Sequence, residues 1–201
     1  MQEQTATQQQ SSAEQKQKRK ENKFSAKRIA KIAVFAALAY VVSLLEFPLF
    51  PAVPFLKLDF GNVFILLSAF IFGPVEGIIV CFVKEGFRAL HSGTFGVGEI
   101  ANMLITSAFI LIPSITYQFK KGLPVVIGTL CIACLVQVGM GLLSNRFINF
   151  PIYGAAAGFD GVALFYDVWY WIALFNLIKG VAVSALTVLL YKHLKHLLDK
   201  I

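Results

Sequence analysis

Long apolar runs separated by short punctuation dominate the chain, and their lengths predict membrane-spanning helices. The first run covers about residues 26–45, and the second, 61–72, ends at the breaker pair Gly73-Pro74. A third continues from there to about Leu90, and a fourth runs from about Val97 to Phe119, closed by Lys120-Lys121-Gly122-Leu123-Pro124. The fifth runs from Pro124 to Leu143 and the sixth from about Val168 to Tyr191. These runs predict an all-α integral membrane protein, a six-transmembrane-helix bundle spanning residues 26–191 as one domain.

The second run is short for this purpose. Twelve residues of helix span about 18 Å, against a hydrocarbon core of about 30 Å. The stretch before it, Phe47-Pro48-Leu49-Phe50-Pro51-Ala52-Val53-Pro54, holds three prolines in seven residues and cannot be regular helix. Irregular backbone at membrane depth survives only where protein buries it or where it lines a cavity. The expectation is therefore a Pro-rich lid loop folded over the outer end of the bundle.

Composition agrees with the pattern and charge adds orientation. Of 201 residues, 57% are hydrophobic and 14% charged, against roughly 45–50% and about 25% in soluble domains. The net charge of +7 sits in the tails: residues 1–31 carry eight Lys or Arg against three Glu, whereas residues 32–191 carry seven of each sign. With an even number of spans both termini share a side. That side collects the N-terminal basic residues, Lys120, Lys121, Lys192, Lys195 and Lys200, while the opposite loops offer only Lys57 and Arg146. The positive-inside rule then predicts that both termini are cytoplasmic. The polar, low-complexity tail over residues 1–25 is expected to be disordered, and residues 192–201 to form a second basic tail. The tail's KQKRK run is read as facing anionic lipid headgroups, not nucleic acid, because it lacks interleaved aromatics and a folded partner surface. A long polar lead-in and a first apolar run that belongs to a repeated series argue against a cleaved signal peptide.

Several polar residues stand where lipid makes them expensive. Lys179 lies near the middle of the sixth run, where a charge costs about 2.5–3.5 kcal/mol and usually faces the bundle interior. Asn176, three positions earlier, shares its helical face. Together they suit a ligand rich in carbonyls and hydroxyls; the alternative is an ion pair between Lys179 and a carboxylate such as Asp59 or Glu99. Lys84, Glu85 and Arg88 fall within five positions of the third run. Their spacing allows an intrahelical Glu85–Arg88 pair within a charge network.

Ala26, Ala30, Ala33 and Ala37 recur at three- and four-residue spacing on the first run, as small residues do where helices approach closely. Cys131 and Cys134 form a C-x-x-C, but with no second Cys or His pair they read as packed thiols. No phosphate loop, H-E-x-x-H or G-x-S-x-G occurs, so neither ATP hydrolysis by that route nor a recognisable catalytic constellation is indicated. No metal site and no cofactor are expected.

Several segments in order resemble one family, the membrane-embedded substrate-binding (S) components of energy-coupling factor (ECF) vitamin transporters, and within it the riboflavin-specific group. They are Phe55-Leu56-Lys57-Leu58-Asp59-Phe60-Gly61-Asn62, Gly73-Pro74-x-x-Gly77 with Lys84 and His91, and Ser92-Gly93-Thr94 through Val97-Gly98-Glu99-x-Ala101-Asn102. Asn145 followed by Pro151-x-Tyr153, and Phe175-Asn176-x-x-Lys179-Gly180, complete the set. Asn62 and Phe64 depart from it, standing where the family pattern leads one to expect an acidic residue and a proline.

The resemblance implies a six-helix bundle in a bacterial cell membrane that takes one vitamin from outside. It also implies docking on a transmembrane coupling subunit with two cytoplasmic ATP-binding subunits. It places substrate contacts at Asn145, Asn176 and Lys179. Lys57, Leu58 and Asp59 would close the site, with Glu99 and Tyr153 beside it, and the coupling subunit would meet Ala30, Ala33 and Ala37. Riboflavin joins a flat apolar ring system with polar edges to a hydroxyl-rich chain, and such a ligand wants aromatic walls and a few convergent polar groups. An S component for another vitamin or for flavin mononucleotide, and an autonomous carrier, are the competing readings. The carrier would need an internal repeat or a polar pore, and neither is evident in the sequence.

Overall fold

A computed structural model describes residues 26–93 and 96–198. The N-terminal tail, Thr94, Phe95 and residues 199–201 lie outside the described residues.

Helix α1 covers Ala26–Ser43. After it come two-residue strands β1 (Phe47–Pro48) and β2 (Lys57–Leu58), paired antiparallel with Phe47 opposite Leu58 and Pro48 opposite Lys57. Helices α2 (Gly61–Phe72) and α3 (Pro74–Ala89) meet at Gly73, where Pro74 occupies the first turn of α3 without forfeiting a hydrogen bond. Helix α4 covers Val97–Phe119 and α5 Leu123–Ser144. A π-helical turn, Asn145–Asn149, joins α5 to α6 (Phe150–Ala157), and α7 runs over Gly161–Leu198. Since residues 123–157 are continuously helical, the described residues form six continuous helices.

Three of these, Val97–Phe119, Leu123–Ala157 and Gly161–Tyr191, are long and apolar enough to cross a membrane, and α2 is a shorter apolar helix. The structure departs from expectation at three places. A minimal ladder closes the Pro-rich loop into a hairpin. The segment 144–167, expected on the side opposite the termini and not as one of the six helices, is helical as far as Ala157. The sixth helix begins at Gly161, not near Val168, and its backbone continues through residues read as tail. At 1.5 Å per residue its 38 residues measure about 57 Å, far more than a bilayer core needs, so it extends beyond the expected span at both ends.

Both chain ends of the described region lie at one end of the bundle, here the terminal end. The hairpin, the turn after α3 and α6 lie at the other, the loop end. Two apolar clusters divide the interior. Toward the terminal end, Ile32, Ala36 and Ala39 of α1 pack with Val63 to Phe70 of α2, Val80 of α3, Phe109 and Ile110 of α4, Leu130 and Ala133 of α5 and Val183 of α7. At the loop end, Val53, Leu56 and Leu58 of the hairpin pack with Phe150 of α6 and with Phe165, Ile172 and Phe175 of α7. Buried polar residues gather between the two.

Candidate functional site

The centre of the polar layer is Asp59, the residue that ends the hairpin. Its Oδ1 accepts the Gly61 backbone N–H at 3.0 Å, fixing the entry into α2. Oδ2 lies 3.0 Å from Lys179 Nζ on α7, and Oδ1 lies 3.5 Å from Lys84 Nζ on α3. Lys179 also donates to Asn102 Oδ1 on α4 at 3.2 Å, and Asn102 Nδ2 donates to Glu85 Oε1. Lys84 returns to Glu85 Oε1 at 2.7 Å and to Asn62 Oδ1 at 3.3 Å. These contacts close a ring: Asp59, Lys179, Asn102, Glu85, Lys84, and back to Asp59. Two cations meet two anions, so the ring is formally neutral, and it ties the hairpin to α3, α4 and α7. Lys84 is 0% exposed and Lys179 4%. Breaking such a pair by removing one partner strands a buried charge, at about 3–5 kcal/mol.

Beside the ring, α5 and α7 cross at close range. A Cβ at Gly141 would collide with the Asn176 side chain, so only glycine lets that amide lie against α5. Gly180 allows a close approach on α7 as well, where a Cβ would sit tightly, 3.1 Å from Cys134 Sγ. Asn176 donates Nδ2 to the Ile172 carbonyl at 2.9 Å, and Asn145 donates to the Gly141 carbonyl at 2.8 Å. Each thereby spends one amide N–H on its own helix. Asn149, four residues on in the π-helical turn, donates to Asn145 Oδ1 at 3.1 Å and so sets the rotamer of that amide. π-Helical turns of this kind often mark functional sites.

Over the polar layer the hairpin forms a roof. Phe50 lies 4.9 Å from Trp171 and Phe55 5.9 Å from Phe150, ring centre to ring centre. The base of the hairpin is held by Glu46, which pairs with Lys57 at 2.8 Å and with Arg88. Arg88 also donates to the Ser43 carbonyl at 2.7 Å, closing the end of α1. Partial burial alone would raise the pKa of Glu46; its hydrogen bonds to Lys57 and Arg88 outweigh that and hold it below the usual 4.5. Arg88 thus reaches across to α1 and does not form the expected pair with Glu85. Glu85 is turned inward toward Lys84 and Asn102.

Of the residues singled out in the sequence, Asp59, Asn176 and Lys179 are brought together, with buried Leu58 and Asn145 close by in the chain or across the helix crossing. Lys57 is exposed and faces Glu46 at the hairpin base. Glu99 sits in the first turn of α4, where it accepts a hydrogen bond from Ser92 at 2.8 Å. Tyr153 is half-buried on α6. Ala30, Ala33 and Ala37 lie exposed on α1, while Ala36 and Ala39 pack inward. Sequence reasoning did not single out Asn62 or Asn102 as site residues and did not join Lys84 and Glu85 to Lys179. Asn102 stands on the inward face of an amphipathic α4, a signal that could have found it.

The substrate-specific component of ECF transporters is the family whose model matches residues 27–191. The chain is 36% identical over 186 residues to the riboflavin transporter RibU of Staphylococcus aureus (strain TCH60), covering 92% of this chain and 98% of that protein. It is 29% identical to the riboflavin transporter FmnP of Bacillus subtilis (strain 168), covering 84% and 92%. Among solved structures, one described as the S component of a bacterial ECF transporter superposes with a TM-score of 0.76 at 35% identity. That likeness covers 86% of this chain and 98% of the other.

Proposed function

This chain belongs to the substrate-specific components of ECF transporters, and from that premise we propose that it captures riboflavin and hands it to an ATP-driven importer. The observation that carries the reading is the convergence of Asp59, from the hairpin, on Lys179, one turn from Asn176, under an aromatic roof. The hairpin over residues 47–58 is the lid. Its contacts are ones that can be broken singly: ring against ring, Glu46 against Lys57, Asp59 against Lys179. Opening it exposes the polar layer from the outside; closing it seals a flat aromatic ligand from water.

The six helices cross the membrane with both termini in the cytoplasm, a reading that the distribution of basic residues supports. The ligand's ring system packs against the aromatic roof, and Asn145, Asn176 and Lys179 meet its polar groups. Lys179 has three N–H donors, two of them engaged by Asp59 and Asn102, which leaves one for the ligand. Exposed Ala30, Ala33 and Ala37 let a coupling subunit approach α1 closely, and two ATP-binding subunits drive the cycle.

Titrating riboflavin into the purified chain and following flavin fluorescence tests this reading. Saturable quenching at one flavin per chain is expected, and its absence would remove the assignment. In vesicles the chain alone should bind flavin without concentrating it. With the coupling and ATP-binding subunits present, Ala33→Trp or Ala37→Trp should abolish uptake while leaving binding intact. Undiminished uptake in both variants would show that the stripe faces lipid.

A further inference from the structure

One buried polar group takes no part in the ring or in the amide contacts around it. Gln137, on α5, is 3% exposed, yet its side-chain amide makes no hydrogen bond to any described residue. It stands four residues before Gly141 and eight before Asn145, which puts the three on one face of α5. That face crosses α7. A Cβ at Gly180 would lie 3.2 Å from Gln137 Oε1, so the amide is pressed against bare backbone one residue beyond Lys179. The neighbouring amides are otherwise satisfied in part: Asn176 by Ile172, Asn145 by Gly141 and Asn149. Gln137 is not among the described residues with a fully enclosed side-chain atom lacking a partner, which are Glu85, Asn149 and Thr187, so its amide borders space that a ligand group can enter.

We propose that Gln137 is a further specificity-determining contact for the flavin, at the end of the α5–α7 crossing farthest from the hairpin. The inference rests on the riboflavin reading above and deepens it. An amide both donates and accepts, which is what either polar end of this ligand asks for: an imide edge presents N–H beside C=O, and a hydroxyl does both. Over the eight residues from Gln137 to Asn145 the helix rises about 12 Å, so two amides on one face can grip separate groups of a single elongated ligand. A polar partner there also discriminates, because a molecule lacking the matching group leaves the amide as unpaired as it is without ligand.

The test compares the purified full chain with Gln137→Leu and Gln137→Met, titrated with riboflavin and with lumiflavin, in which a methyl group replaces the hydroxyl chain. Thermal melts of the ligand-free proteins accompany the titrations. Both variants should bind riboflavin about 5- to 150-fold more weakly, the loss of one buried hydrogen bond. Their ligand-free melting temperatures should be unchanged or raised, since an unmatched amide has been replaced by an apolar group. A loss seen with both flavins places Gln137 at the ring edge, and a loss confined to riboflavin places it at the hydroxyl chain. Wild-type affinity in both variants, or an affinity change no larger than a parallel fall in ligand-free stability, would overturn the proposal and make Gln137 structural. A wild-type chain that binds neither flavin would instead remove the riboflavin reading itself.

Discussion

The two apolar clusters on either side of the charged ring are built differently. Toward the terminal end, eighteen buried side chains come from α1 to α5 and α7, all on continuous helices. At the loop end there are seven, three of them supplied by a hairpin whose ladder is two residues long. The first cluster can loosen only if helices separate. The second can come apart by moving one loop. Local opening follows few buried contacts and short hydrogen-bonded elements, so the loop end is where this chain should open while the bundle stays closed. The ring lies on the boundary and belongs to both halves: Lys84, Glu85 and Asn102 stand on helices, and Asp59 travels with the hairpin.

Removing the helical side of the ring gives the largest expected effect. Lys84→Met leaves Asp59 and Glu85 as buried anions with one cation between them, and should cost about 3–5 kcal/mol of stability in a thermal or denaturant melt. Adding Glu85→Gln should recover part of the loss. If Lys84→Met melts like wild type, the ring is not an ionised network. Next, Leu66→Ala opens a cavity in the terminal-end cluster. About 2–3 kcal/mol is expected, the lower part of the Leu→Ala range, since lipid tails remove most of the water-transfer term. Flavin affinity should hardly change, and a large drop would mean that the two halves are not separable.

Asn176→Leu touches the site and not the helical framework. It should weaken riboflavin binding by about 1–3 kcal/mol, roughly 5- to 150-fold, with little change in the ligand-free melt. Equal affinity in the variant would take α7 out of the site. The smallest effect concerns the hairpin base. Because the pKa of Glu46 is depressed in the folded chain, its contribution is complete above the unfolded value near 4.5 and fades as pH falls through the lower folded value. An exposed pair of this kind is worth under about 1 kcal/mol. Protease cleavage within residues 47–58 should therefore rise modestly below about pH 4.5, and Glu46→Gln should show the faster cleavage already at neutral pH. Pace and pH profile identical in the two proteins would show that Glu46 does not hold the hairpin.

The terminal half was the legible half. The boundaries at 61–72, 74–89 and 97–119 could be read from Gly-Pro punctuation and uninterrupted apolar runs, and the helices fall there. The stretch from Asn145 to Ala157 was not read as helix, because Pro151, Gly154 and Gly158 within a polar-flanked run look like loop chemistry. Pro151 sits in the first turn of α6, where a missing N–H costs nothing. In the site, Lys179 and Asn176 stood out as polar residues in a lipid-length run. Asp59 and Lys179 are 120 positions apart, so their pairing needed the fold, although a buried carboxylate partner was one of two options from the start. Gln137 gave no signal, since one amide in an apolar run has a meaning only once its neighbours are known to lack a bond for it.

The π-helical turn at Asn145–Asn149 carries a consequence for how this chain can vary. Such a turn holds one residue more than the α-helical turn it replaces, so everything after it is rotated by about 100° relative to an uninterrupted helix. That rotation aims Phe150 at Phe55 of the hairpin and at Phe165 of α7. Losing a single residue within the turn would remove that extra residue and leave a regular α-helix with Phe150 still aimed at the roof, whereas the same loss from the regular helix before the turn would swing Phe150 by about 100°. The turn is therefore the one point along residues 123–157 where the loss of a residue can be absorbed with roof and floor both kept in register.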